Sequence, residues 1–149
     1  MMFNPSKDDV RRFFCDAWAK AQRHELLSPI ETIAVDWINE HPEYHADLAN
    51  LDEALARDYA VDEGRTNPFL HLAMHLSIEE QVSIDQPPGI RQAFGLLASR
   101  HDSRHQAMHE VMECLGEALW NAQRQGAPID GLAYVESIQQ RATRRSPGR

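Results

Sequence analysis

The chain has 149 residues, 42% of them hydrophobic, and a formal net charge of −8. That length predicts one domain with a real core. The acidic balance disfavours nucleic acid and anionic membrane surfaces as partners, since both select basic patches. No apolar run approaches the ~18 residues of a spanning helix. The N-terminus carries no signal-type apolar run, so the expected compartment is the cytoplasm. Cys15 and Cys114 fit buried free thiols better than a disulfide framework.

The chain reads as helices throughout. Ser6, with Asp9 three residues on, predicts an N-cap for a helix from Lys7 to about Arg23. Phe13, Phe14, Ala17, Trp18 and Ala21 form its expected inner stripe. Ser28-Pro29-Ile30-Glu31 combines a capping serine, a proline at the first helical position and a glutamate that reaches back. The second helix is expected to turn Ile30, Ile33, Ala34, Trp37 and Ile38 inward. It should stop near His41, because Pro42 disfavours helix before it.

His41-Pro42-Glu43-Tyr44-His45 predicts a compact polar turn. Its two imidazoles are candidates for an additional metal ligand or for hydrogen bonds that support a site. A third helix is expected from about Glu43 or Ala46 to Tyr59, with Leu48, Leu51 and Leu55 inside. Ala60 to Thr66 reads as a loop. Asn67-Pro68 opens a helix to about Ile84. Asp85-Gln86-Pro87-Pro88-Gly89 breaks the chain, and a helix through Ile90, Phe94 and Leu97 follows up to about Arg100. After a junction at His101, with Asp102 or Ser103 as cap, a long helix runs to about Gln125 and ends at Gly126. Its inner face is expected at Met108, Met112, Leu115 and Leu119. Asp130 caps a last helix carrying Leu132, Tyr134, Val135 and Ile138. The expected fold is an all-α, up-and-down bundle of four main helices with short additional ones. Residues 1–142 would form one domain and 143–149 a basic, disordered tail.

Two helices carry the same spacing of metal-competent side chains. The first holds His71, His75 and Glu79; the second holds His105, His109 and Glu113. Residues four apart share a helix face, one turn above the other. The first stripe shares its arc with Leu72 and Val82, opposite Ser77, Glu80 and Gln81, and so reads as buried. Glu113 drifts toward the edge of the second arc, because steps of four precess by about 40°. Imidazole is the commonest ligand for divalent transition metals, and carboxylate can complete the sphere. If the stripes face each other in a bundle, His71, His75, Glu79, His105, His109 and Glu113 converge as six ligands. Mixed His/carboxylate ligation suits one or two ions of Fe, Mn or Zn.

The spacing resembles that of hemerythrin-like bundles, which use His-x-x-x-Glu and His-x-x-x-His on successive helices. His75-x-x-x-Glu79 and His105-x-x-x-His109 match those two elements, whereas the aspartate-terminated last motif of that family is missing. Ferritin-like bundles use Glu-x-x-His, a spacing this chain lacks.

Longer stretches resemble a bacterial family catalogued only as a domain of unknown function, number eighteen forty-one. They are Asn67-Pro68-Phe69-Leu70-His71, Glu80-Gln81, Asp85-Gln86-Pro87-Pro88-Gly89-Ile90-Arg91 and Met112-Glu113-Cys114-Leu115-Gly116-Glu117. His41-Pro42-Glu43-Tyr44-His45 and Trp120-Asn121-Ala122-Gln123-Arg124 add to the likeness, which covers about Phe3 to Gln140. The resemblance implies a small cytoplasmic protein of Gram-negative bacteria and implies no activity.

Two function classes follow from the residues. One is a non-haem metal-binding helical bundle, doing redox, oxygen-related or hydrolytic chemistry. The other is a helical protein-interaction module whose polar core only fixes helix register. Either is compatible with a homo-oligomer, and neither identifies a nucleophile or a substrate.

Overall fold

A computed structural model describes residues 6–57, 67–101 and 103–143. Most of those residues are helical, with no strand among them. The helices are α1 (Lys7–Gln22), α2 (Pro29–Asn39), α3 (His45–Leu48), α4 (Leu51–Ala56), α5 (Pro68–Ile84), α6 (Ile90–Ala98), α7 (Arg104–Gln125) and α8 (Gly131–Thr143), with a 3-10 turn at Pro42–Tyr44. None is long and apolar enough to cross a membrane. The fold is all-α, as the sequence predicts. By internal packing the chain divides into two compact units, Met1–Leu76 and Ser77–Arg149, with the boundary inside α5. The expected loop from Ala60 to Thr66, Tyr59, Asp102 and the tail beyond Thr143 lie outside the described residues.

In the first unit, Ser6 and Ser28 each accept a hydrogen bond from the backbone of the third helical residue, and Asp9 and Glu31 return the bond. Both helix starts are therefore reciprocal capping boxes. The buried face of α1 is shifted from the expected stripe. Phe14, Cys15 and Ala17 are buried together with Arg11, while Phe13, Trp18 and Ala21 are half-buried. Hydrophobic periodicity counts arginine as wet. Here Arg11 Nη1 donates to the carbonyls of Ala54 and Arg57, both at 2.7 Å. Its guanidinium also lies 5.4 Å from the Phe69 ring centre. The last carbonyls of α4, which no helix amide can reach, are closed by this side chain.

On α2 the inner face is Ala34, Val35, Trp37 and Ile38, and Ile30 and Ile33 are exposed. Ile33 lies about 100° from Ala34, which puts it on the flank. Ile30 sits in the first turn, before the packed part of the helix begins. The single third helix expected to Tyr59 is instead two short ones. Asn50 adopts extended backbone and its side chain accepts from Glu53 N at 3.1 Å. Asparagine favours such a cap over continuing a helix. Leu48 is buried, Leu51 and Leu55 are half-buried, and Ala54 is the buried residue of α4.

The second unit packs α6, α7 and α8 with the C-terminal part of α5. Its core is Ile78, Ile90, Ala93, Phe94, Leu97, Met108, Val111, Met112, Leu115, Tyr134, Val135 and Ile138. Arg91 closes the end of α5. Its Nε donates to Val82 O at 3.1 Å and its Nη2 to Ser83 O at 2.7 Å, and its own backbone N–H donates to Asp85 Oδ1 at 3.0 Å. Gly89, at φ +93°, then caps α6, which starts at Ile90. A residue with a side chain is strained at that backbone angle. Ser103 caps α7 and Asp130 caps α8. Leu119 and Leu132 are exposed, contrary to the inner faces read from sequence. Gln81, expected on the wet side of α5, is half-buried. Its Oε1 accepts from the buried Tyr134 hydroxyl at 2.7 Å.

Burial pushes the Cys15 thiol from 9.0 up to about 11, with Asp16 adding to the shift and Arg11 opposing it. Between those values the unfolded thiol loses its proton while the folded one keeps it. The folded state then binds more protons, so stability falls as pH rises, by about 1.4 kcal/mol per pH unit from this group. Urea unfolding near pH 7 and near pH 10 should show the wild-type chain losing more stability across that interval than Cys15→Ala. Equal losses would mean that the thiol is not buried as described.

Candidate metal centre

The first unit brings three imidazoles together. His41 follows α2, and His71 and His75 lie one turn apart on α5. His41 Nδ1 is 2.8 Å from the carbonyl oxygen of Trp37. A carbonyl only accepts, so that nitrogen carries the proton, and in the neutral ring Nε2 keeps its lone pair. The bond also satisfies one of the last carbonyls of α2. His45 adds a second partner to the next one, Ile38 O, which already accepts from the His41 backbone N–H at 3.0 Å; its Nε2 lies 3.1 Å away and its ring packs on Trp18 at 4.4 Å.

His71 Nε2 lies 3.1 Å from His41 Nε2 and 3.1 Å from His75 Nε2. Ligand nitrogens of His41 and His75 lie within 4.8 Å of each other. With the lone pair of His41 already fixed, one proton on His71 can complete only one of the two 3.1 Å contacts. A cation could instead take a lone pair from every ring. Metal–nitrogen bonds of ~2.0–2.1 Å put neighbouring ligand nitrogens about 2.9 Å apart at right angles and about 3.4 Å apart at the tetrahedral angle. The observed spacing falls between these. The set is held from behind by aromatic rings. Trp37 stacks face to face on His75 at 3.9 Å, and Tyr44 lies parallel to His41 at 5.2 Å. His41 and His75 are buried, at 3% and 0% exposure, and His71 is half-buried. Asn67 sets the start of α5, accepting from the backbones of Phe69 at 3.0 Å and Leu70 at 3.2 Å.

The second unit holds an imidazole pair of the same spacing. His105 and His109, one turn apart on α7, place their Nε2 atoms 3.2 Å apart. Both are half-buried. The glutamates of the two stripes are engaged by arginines. Arg104 donates through both terminal nitrogens to Glu79, with Nη2 3.1 Å from Oε2, and also lies over the Phe94 ring at 5.1 Å. Glu113, whose side chain is 65% exposed, accepts from Arg141 at 2.7 Å. The drift of α7's third stripe residue carries Glu113 out to solvent, and each stripe's glutamate makes an ion pair with an arginine.

A family model described as a domain of unknown function (DUF1841) matches residues 6–140. The chain belongs to that family. No curated protein and no solved structure matches it. Several of the DUF1841-like stretches have a structural part in the geometry above. Asn67 fixes the start of α5, and Asp85 and Arg91 bind its end to α6. His41 and His45 close α2, and His41 also joins the histidine set. Sequence spacing offered both turn residues as candidates and could not separate them. The distinction lies in which ring nitrogen the helix end uses. His41 spends Nδ1 and presents Nε2, whereas His45 spends Nε2.

The two residues therefore respond differently to alanine. His45→Ala should cost about 1 kcal/mol of stability through the lost carbonyl bond and leave zinc affinity within a factor of about two. His41→Ala should lower zinc affinity by more than about ten-fold. Competitive titration with a chromophoric chelator checks both values. The reverse ranking would show that His45 belongs to the site and His41 does not.

Proposed function

We propose that this chain is a metal-binding protein that holds a divalent transition ion through imidazole nitrogens. In the first unit His41, His71 and His75 are the ligands; in the second unit the His105–His109 pair is a separate candidate for an ion of its own. The observation that carries this reading is the pair of 3.1 Å contacts made by His71 Nε2, beside a His41 ring whose proton is already committed to Trp37. All-imidazole donors suit Zn or Fe better than Mn, which favours oxygen ligands. Glu79 and Glu113 enter the reading as paired charges rather than as ligands. A carbonyl behind a ligating histidine is the usual means of fixing its tautomer and direction, and here α2 provides it.

Protein purified without a histidine tag and reconstituted with Zn or Fe should retain at least one ion per chain by elemental analysis. Ion at a hundred-fold excess over its dissociation constant should stabilise the fold by about 2.7 kcal/mol, and a chelator should reverse the gain. Because Trp37 stacks on His75, loading should also change its buried fluorescence, and Trp37→Phe should abolish that change. No retained metal after reconstitution with Fe, Mn and Zn would return the imidazoles to a polar core. The chain would then be better read as an interaction module.

A further inference from the structure

Toward its C-terminal end, α7 turns its largest side chain outward. Trp120 is 56% exposed, and Leu119 beside it is 38% exposed. Tryptophan is enriched at interfaces relative to open surface. At about 100° per residue, Gly116 and Gln123 lie on one flank of Trp120, and Glu117 and Arg124 on the other. Glu117, Gln123 and Arg124 are exposed. Arg124 lies over the Trp120 ring at 4.3 Å, and neither it nor Glu117 makes an ion pair among the described residues. The unmatched charges of this face are therefore acidic one turn before Trp120 and basic one turn after it.

That order is self-complementary. At a rise of 1.5 Å per residue, Glu117 stands about 4.5 Å before Trp120 and Arg124 about 6 Å after it. A two-fold axis across the helix at Trp120 reverses a second α7 and keeps each flank on its own side. It sets Glu117 of one copy opposite Arg124 of the other, twice, matched in height to about 1.5 Å. On the other flank it sets Gln123 opposite Gly116, where the space a side chain would fill is open. A parallel pair would instead bring like charges together.

We propose that the Trp120 face of α7 binds a second copy of this chain, helix against helix and antiparallel, about a two-fold axis at Trp120. Such an interface presents the same patch from both copies, and it does not depend on the metal-binding reading. The two indoles supply the apolar area, ~150–250 Å² per ring. The two Glu117–Arg124 pairs fix direction and register, which complementary charge does more effectively than it adds affinity. Two chains of charge −8 repel each other, but at 0.15 M salt that repulsion is screened beyond about 8 Å, while the touching pairs are screened much less. The contact is small and belongs with reversible interfaces rather than obligate ones.

The test is sedimentation velocity of the full-length chain without a histidine tag, from micromolar to near-millimolar concentration. A chelator in the buffer keeps any ion from bridging two copies. A concentration-dependent equilibrium between monomer and dimer is expected. Glu117→Arg and Arg124→Glu each set like charges opposite one another, and Trp120→Ala removes the apolar centre; each should weaken self-association by more than about ten-fold. All three positions are exposed, so far-UV circular dichroism should show the helices unchanged. Mixed in equal amounts, the Glu117→Arg and Arg124→Glu chains pair unlike charges at both contacts and should associate with each other about as the wild type does with itself. The double variant Glu117→Arg/Arg124→Glu should likewise regain self-association. A wild-type chain that stays monomeric throughout would overturn the proposal and leave the face to a different protein. A dimer that neither charge reversal weakens would overturn it as well, and so would a mixture that recovers nothing.

Discussion

The end of α2 sets the chemistry of everything near it. A helix leaves its last carbonyls short of amide partners; here His41 partners Trp37 O, and His45 adds to Ile38 O, which the His41 backbone N–H also reaches. His41 gives Nδ1–H to Trp37 and so has a single remaining polarity at Nε2: a lone pair. That atom points at His71, which itself meets His75. An ordinary requirement of helix termination thus fixes the protonation pattern of a three-ring cluster. The rings are further fixed by stacking, His75 on Trp37 and His41 on Tyr44.

Much of the helical layout was legible from local signals. Ser6, Ser28, Asn67, Ser103, Asp130 and Gly126 mark helix ends because each acts on backbone within a few residues. The spacing of His71 with His75 and of His105 with His109 was legible for the same reason, since four residues make one helical turn. What the sequence hid depends on partners far along the chain. Arg11 is a core residue because the end of α4 needs donors. Gln81 is half-buried where Tyr134 reaches it. Neither fact has a trace in periodicity. The break at Asn50 was readable in principle from its capping residue, but Leu48, Leu51 and Leu55 offered a continuous stripe across it.

The carboxylates show what spacing alone leaves open. Glu79 and Glu113 sit where a third ligand would sit on each stripe. Which group a carboxylate faces depends on the cations that other elements bring to it, and the chain brings Arg104 to one and Arg141 to the other. Beside the two expected stripes, the structure shows three imidazoles together in the first unit, a pair in the second, and an arginine on each glutamate.

The stacking of Trp37 on His75 has a consequence for discrimination by radius. A ring held face to face at 3.9 Å cannot swing outward without losing that contact, and the ring of His41 is tethered to a helix carbonyl. The nitrogen edges at His71 are therefore stiff. Edges of 3.1 Å correspond to bonds of about 1.9 to 2.2 Å for angles between tetrahedral and right-angled. Small first-row dications meet that span, whereas Ca²⁺, with its ~2.3–2.6 Å bonds and preference for oxygen, does not. If the cluster holds an ion as proposed, its clamped, neutral imidazole donors would sort ions by size before ligand type is considered.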